Sequence, residues 1–472
     1  MNTVTADSPS LDPNNLPGPP GLPLLGNALS LKPSRIHQVF EEWAYEYGPF
    51  YQFRVGPRKM IGVSDPAAVA TLFKERPEKY TRNIPMEEVF LEMGIEGVFP
   101  VEGEQWQRQR RVWIKAMNAH RVRPFFGKMK LITERLKQRW EQAAAEGKVI
   151  HVVDDLMRYT VDVTTLFAYG FDANTLQQGE DVVQKQLMHV FPAINRRINS
   201  PFPYWRYLPL PADVKLKKAL KNLETFVMAR IEETRAEMKT NPQLKKEPEN
   251  LLQGLIAAGE DDEAGLTDQE IYGNTVGVML AGEDTTAYTM AWMIYELIQH
   301  PPALQRLRQE MDQVLGAEPL WSELEQGEDM PWLDAVTNET QRLRSVAPMT
   351  GMTAKVDVEL GGMHFPAGSN FVVPLRVMAM DEKRYPDARA FKPERWIDID
   401  QGHPAQQAPQ PFGGGKRTCP GMNLALQEIK SVLSMLVKNF DLELADTGKA
   451  VTEKFAFTMF PDNLCMQLHP RN

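Results

Sequence analysis

The chain has 472 residues, 43% of them apolar, which is enough to bury a sizeable core. Its net charge of −9 excludes nucleic acid or an anionic membrane as the general partner. Two cysteines, Cys419 and Cys465, cannot build a disulfide framework, which fits a reducing compartment.

Residues 1–15 are polar and proline-containing, and are expected to be a disordered lead. They lack the basic start and apolar core of a signal peptide, and no later run approaches the ~18 apolar residues of a membrane span. A cytoplasmic location is expected. From Leu16 to Asn27 the prolines impose a stiff, non-helical surface segment. A helical pattern covers Ile36 to Tyr47, and Phe50 to Val63 alternates like two strands about a turn at Gly56-Pro57. An apolar, loop-like region then holds Phe90, Met93, Val98 and Phe99. On the next helix Trp106 and Arg110 stand four apart on one face, where an indole N–H and a guanidinium can bind a carboxylate. A solvated basic helix anchored by one tryptophan fits those residues as well. Helical segments run on to about Met238, broken by an aromatic loop from Pro201 to Pro209 that is either a lid or a packed corner.

Thr267-Asp-Gln-Glu270 is a capping box, and His300-Pro301 is the matching stop. Between them lies a helix of about 33 residues, roughly 50 Å long, apolar nearly all round and so expected in the core. Ala281-Gly-Glu-Asp-Thr-Thr286 interrupts it, and buried acids beside Gly282 suggest a site for proton transfer. Glu339 and Arg342 are three apart on a further helix, a common surface pairing. Strands are expected at Val356 to Leu360 and Asn370 to Val373. A proline-punctuated meander holds Pro393 to Trp396, and Phe455 to Leu468 reads as a strand pair turning near Pro461 to Asn463.

Phe412 to Glu428 carries most of the chemical information. A glycine run delivers Cys419 to the expected start of a helix, with Pro420 as its first residue. An N-cap thiol there should have a lowered pKa and act as a nucleophile or metal ligand. Zinc needs three or four ligands, and no second cysteine or close histidine is present; a nucleophile needs a base, and none of the eight histidines stands in a partnering motif. A single thiolate on a metal that brings its other ligands remains, which describes haem. Cys465 alternates with Leu464, Met466 and Leu468 and reads as a buried small hydrophobe.

These residues resemble the cytochrome P-450 haem-thiolate monooxygenases. The ligand loop Phe-x-x-Gly-x-Arg-x-Cys-x-Gly is complete from Phe412 to Gly421. Ala281 to Thr286, Glu339 to Arg342, Pro393 to Trp396, Trp106 to Arg110 and the proline-rich lead follow the family's other motifs in the family's order. The resemblance implies one mainly α domain with small β-sheets (α+β) over residues 16–470, with haem between the long central helix and the cysteine-loop helix. It makes Cys419 the axial iron ligand of haem b and Trp106, Arg110 and Arg417 the propionate contacts, with Phe412 beside the ligand. Asp284 and Thr285 become the proton-delivery pair, and Glu339, Arg342 and Arg395 a structural ion-pair network. The implied substrate pocket comprises Phe90, Met93, Val98 and Phe99; Val278, Met279 and Ala281; Val346, Ala347 and Met349; and Phe457, Thr458 and Met459.

Met352 stands where many members carry another propionate-binding arginine, which leaves that contact in question. The implied activity is insertion of one oxygen atom from O2 into a hydrophobic molecule by a soluble, monomeric type of member without a membrane anchor. Electrons would come from NAD(P)H through a separate ferredoxin or flavodoxin-type donor and its reductase. Lys416, Arg108, Arg111 and Lys115 are candidates for a basic docking face for that donor. A peroxide-driven or rearranging haem-thiolate enzyme and a haem-dependent sensor are the rivals; retention of Asp284-Thr285 argues against the first, and the lack of any recognisable output segment against the second.

Overall fold

A computed structural model describes residues 12–82, 84–117, 123–179, 182–198, 200, 202–260, 265–397 and 411–471. Most of the expected disordered lead, residues 1–11, lies outside them; Asp12 to Asn15 form a turn closed by the Asn15 amide on the Asp12 carbonyl.

The architecture is helical with small sheets, as expected. Helix α1 (Ile36–Tyr47) leads into strands β1 (Phe50–Val55) and β2 (Arg58–Val63), at the boundaries that the hydrophobic alternation predicts. These strands belong to a five-stranded sheet completed by β3 (Tyr80–Arg82), β4 (Met349–Ala354) and β5 (Asn370–Pro374), in the order β1-β2-β5-β4-β3. Only the β2–β5 pairing is parallel. Strand β4 is not apparent from sequence, because Met349-Thr-Gly-Met-Thr-Ala lacks a clean apolar alternation.

The helical body contains α2 (Ile84–Glu92), α3 (Gly103–Ala116), α4 (Phe125–Ala145), α5 (Val152–Tyr169) and α6 (Asp268–Gln299). Thr267 accepts from the Glu270 amide while the Glu270 carboxylate accepts from the Thr267 amide, so the capping box forms. Helix α6 threads the core and packs most extensively against α5. Gly282 permits that approach: a Cβ there would lie 2.5 Å from Thr164 Cγ2, and Thr160 Oγ1 donates to the Glu283 carbonyl at 2.9 Å. Helices α7 (Pro331–Leu343) and α8 (Met422–Asn439) also pack against α6.

Near the C-terminus, β6 (Thr452–Ala456) and β7 (Thr458–Asp462) form a hairpin that reverses at Phe457, whose φ is +77°. The expected strand pair turning near Pro461 is therefore three strands. Pro461 lies inside β7, and a second reversal at Asn463 precedes Cys465–Pro470. Among the described residues no helix is long and apolar enough to cross a membrane.

Candidate active site

The cysteine loop is shaped by glycine and by backbone bonds. Gly415 has φ +66°, and a Cβ there would lie 2.4 Å from the Phe73 carbonyl oxygen. The Cys419 amide donates to the Phe412 carbonyl at 2.9 Å. Helix α8 begins at Met422 with Gly421 as its N-cap, so Cys419 stands two residues before the cap, and Pro420 lies in the turn. The expected lowering of the thiol pKa does not occur. Burial among protein atoms raises it, outweighing the N–H groups of Gly421 and Met422 and the charge of Arg110. Cys419 is nonetheless exposed as a residue. A directly bound cation would ionise it. Among the described residues no cluster of three His, Cys, Asp or Glu side chains forms a metal site, so Cys419 offers one ligand.

Three side chains surround this loop. Arg110 Nη2 donates to the Thr418 carbonyl at 2.8 Å, and Arg417 Nη2 donates to the Val101 carbonyl at 2.9 Å. The Arg417 guanidinium lies 4.2 Å from the Trp106 ring centroid and pairs with Glu102. Glu102 carries no signal in the sequence: it is the N-cap residue of α3, and no local pattern marks its partner 315 positions away. The Nε atoms of both Arg110 and Arg417 are shielded from solvent and have no hydrogen-bond partner.

Helix α6 opens one face. Ala281 is exposed and Gly277, Val278, Gly282 and Thr285 are half-buried, while Met279, Leu280, Glu283 and Asp284 are buried. Asp284 lies on another face, where burial pushes its carboxyl up to about 7 despite bonds from Thr458 and Tyr288 that favour ionisation. Thr458 Oγ1 donates to Asp284 Oδ2 at 3.4 Å. Thr458, expected as a pocket wall, is thus buried against the acid. Glu283 is raised further by burial and by Asp284, and its Oε2 has no partner. Thr285 Oγ1 donates to the Ala281 carbonyl at 2.7 Å, which leaves its oxygen free to accept.

Glu339, Arg342 and Arg395 come together. Arg342 grips Glu339 through Nε and Nη2, both at 2.8 Å, and Arg395 Nε adds a bond at 3.0 Å. Trp396 Nε1 and the Lys392 amide also donate to this carboxylate, at 2.8 and 2.9 Å. Burial opposes ionisation, but these donors win and hold the Glu339 carboxyl below its usual range. Arg342 Nη1 meanwhile binds the carbonyls of Ala379 and Ala388, each at 2.7 Å, so the network ties α7 to the meander preceding the cysteine loop.

The pocket candidates fall into neighbouring groups. Phe90, Met93 and Met279 are buried in one apolar cluster with Phe99 and Phe457 packed against it, and the Phe90 and Phe99 rings are 5.3 Å apart. Val346 and Met349 pack beside buried Met459, whose amide donates to the Val346 carbonyl at 2.8 Å. Val98 and Val278 border the main cluster, while Ala347 is exposed. The proposed basic face is not uniformly open: Arg108 donates to Glu270 at 2.9 Å, Lys416 pairs with Glu78, and Arg111 and Lys115 also have partners.

One exposed cysteine, guanidiniums with unused donors near it and an acid–threonine pair on a long core helix make up the candidate site of this mainly helical protein. The family model for cytochrome P450 matches residues 16–466, and the chain belongs to the cytochrome P450 family, whose members bind haem and act as monooxygenases. It is 27% identical to the self-sufficient cytochrome P450 monooxygenase CYP505E5 of Aspergillus niger over 96% of its length, but spans only 42% of that protein. It is 27% identical to cytochrome P450 3A14 of Cavia porcellus, covering 90% of this chain and 85% of the relative. Carnosic acid synthase of Rosmarinus officinalis is 28% identical, with 91% and 86% covered. The orphaned Nε atoms of Arg110 and Arg417 fit the carboxylates of a haem, and Cys419 fits as its single sulfur ligand.

Proposed function

We propose that the chain is a haem-thiolate monooxygenase that inserts one oxygen atom from O2 into a hydrophobic organic molecule, by hydroxylation or epoxidation. The observation that carries this reading is Asp284, a buried acid poised at about 7 and one residue from a threonine on the open face of α6. Haem bound at Cys419 would supply the oxygen chemistry. Trp106, Arg110 and Arg417 would hold its carboxylates. Asp284 both holds and releases a proton near neutrality, as a proton-delivery group must. Thr285, its own hydrogen spent on the Ala281 carbonyl, accepts a proton bond on the side facing the pocket. Phe90, Phe99, Met279 and Phe457 give the pocket an apolar, adaptable lining.

The electrons come, in this reading, from NAD(P)H by way of a flavodoxin- or ferredoxin-type donor, in the cytoplasm. A bifunctional cytochrome P450/NADPH–P450 reductase of Aspergillus oryzae is among the relatives, 28% identical over 98% of this chain, which supports a flavin-linked supply. The test is reductant-dependent product formation under 18O2 with a library of apolar substrates, alongside Cys419→Ser. One labelled atom per product and loss of the red-shifted reduced carbon monoxide band in Cys419→Ser are expected. Retention of that band in the variant would overturn the ligand assignment.

A further inference from the structure

The β6–β7 hairpin brings Thr458 to Asp284, yet its own strands do little to fix where it stands. It is a two-stranded sheet by itself, and an isolated pair of strands is marginal in water. The bond from Thr458 to Asp284, at 3.4 Å, is long, and a small displacement of the hairpin would break it. The height of the Thr458 hydroxyl is therefore set by anchors elsewhere.

One anchor is Glu453, on β6. Its carboxylate accepts from His37 Nε2 at 2.6 Å and Gln38 Nε2 at 3.0 Å, both on α1, and from Arg376 Nη1 and Nη2 at 2.6 and 3.0 Å. Arg376, in the short helix Leu375–Ala379, also grips Glu41 of α1 through Nε and Nη2, at 2.9 and 2.8 Å. His37 and Arg376 are buried, and the Phe455 ring stands 5.3 Å from that of His37. Burial opposes ionisation of Glu453, but the bonds from His37 and Arg376 and the charge of Arg376 hold its carboxyl well below the usual range. Charge-assisted bonds of this kind are among the strong ones, and here they fasten one strand of the hairpin to two helices.

The same carboxylate is tied to the helix of the acid. Arg344, the C-cap residue of α7, comes within 3.5 Å of Glu453 through Nη1 and donates from Nε to Glu296 at 2.8 Å. Glu296 lies further along α6, the helix that carries Asp284. Hairpin and helix thus meet twice, at Thr458 and through Arg344.

From this geometry we infer that Glu453 is a positioning residue: clamped by His37, Gln38 and Arg376, it holds the hairpin where the Thr458 hydroxyl meets Asp284. That role rests on the function proposed above, in which Asp284 carries the proton, and adds to it the group that sets the acid's bond from a distance. Losing the Thr458 bond, which favours the ionised acid, moves the Asp284 carboxyl upward. The titratable groups beside Asp284 are Glu283 and Tyr288 on its own helix, with Asp154 of α5 acting on Tyr288. The substitutions below leave all three in place.

The experiment reads Asp284 ionisation as the Tm difference between each holoprotein and the same protein carrying Asp284→Asn, scanned from about pH 5 to about pH 9. That difference widens with pH and levels off at the folded pKa of Asp284. The backgrounds are wild type, Thr458→Val, Glu453→Gln and the double variant. Wild type should level off at about 7. Thr458→Val removes the bond directly and should level off about one unit higher, the worth of one hydrogen bond to a charged group. Glu453→Gln is expected to reach the same raised value, and the double variant to go no higher. A Glu453→Gln protein that levels off where wild type does overturns the inference, whatever its Tm, because a merely structural anchor costs stability without touching Asp284. A further rise in the double variant overturns it too, since Glu453 would then act by another route. Should Glu453→Gln not fold, Glu453→Asp, which keeps the charge but withdraws it by one methylene, decides by the same criteria with a smaller shift. Failure of the haem-thiolate reading shows separately, as absence of the reduced carbon monoxide band from wild type, and leaves the Tm comparison standing.

Discussion

Replacing Asp284 by asparagine removes one ionisation while keeping the side chain's shape. The Asp284 carboxyl, ordinarily near 3.8, is raised by burial to about 7. A group raised in the folded state contributes stability that is fully present below its unfolded pKa and lost as pH rises through the folded value. For Asp284 that window runs from about pH 4 to about pH 7, and three units at about 1.4 kcal/mol each come to about 4 kcal/mol. Between pH 5 and pH 8 the wild type should therefore lose about 3 kcal/mol that Asp284→Asn does not lose. A 472-residue chain unfolds with an entropy of about 1 kcal/mol per degree, so the Tm gap should widen by about 3 °C across that interval, in favour of the variant. Scanning calorimetry at pH 5 and pH 8 measures it, and product formation by the variant should fall in parallel. A Tm gap that stays constant between the two pH values would refute the assigned burial cost.

Gly282→Ala should destabilise the protein by about 1–3 kcal/mol, because the added Cβ meets Thr164 Cγ2 at 2.5 Å; thermal unfolding should show Thr164→Ser, which removes that methyl, restoring most of the loss in the double variant. Glu339→Gln leaves Arg342 and Arg395 without their shared charge in a buried setting, at about 3–5 kcal/mol, and soluble yield and Tm should both drop. Equal stability of Glu339→Gln and wild type would mean that this network does not hold the meander.

Local signals explain what could be read from the sequence. The boundaries of α1, β1, β2 and α6 follow from apolar periodicity, a turn dipeptide and a capping box, each a property of a few neighbouring residues. Cys419 stands out in the sequence because the residues around it form one tight, patterned loop. What remained hidden depends on partners distant in the chain. Glu102 meets Arg417, Thr458 meets Asp284, and Trp396 completes the shell of Glu339, and none of these pairs has a sequence spacing that predicts it. The reversal at Phe457 was missed for a different reason: a non-glycine residue at φ +77° carries no turn signature, whereas Pro461-Asp-Asn463 does. The Cys419 thiol was misjudged because a helix terminus was weighed without the surrounding desolvation.

The β6–β7 hairpin has a consequence for how such a protein diversifies. Phe457 at its tip packs toward the apolar cluster, while the next residue, Thr458, holds the proton-bearing Asp284, and Met459 then anchors to Val346. In the proposed function, selectivity and proton delivery would therefore rest on adjacent peptide units. A change that reshapes this tip would be expected to disturb the bond from Thr458 to Asp284 as well. On that reading, position 457 could vary to admit a new molecule only if the hydroxyl at 458 stays in place.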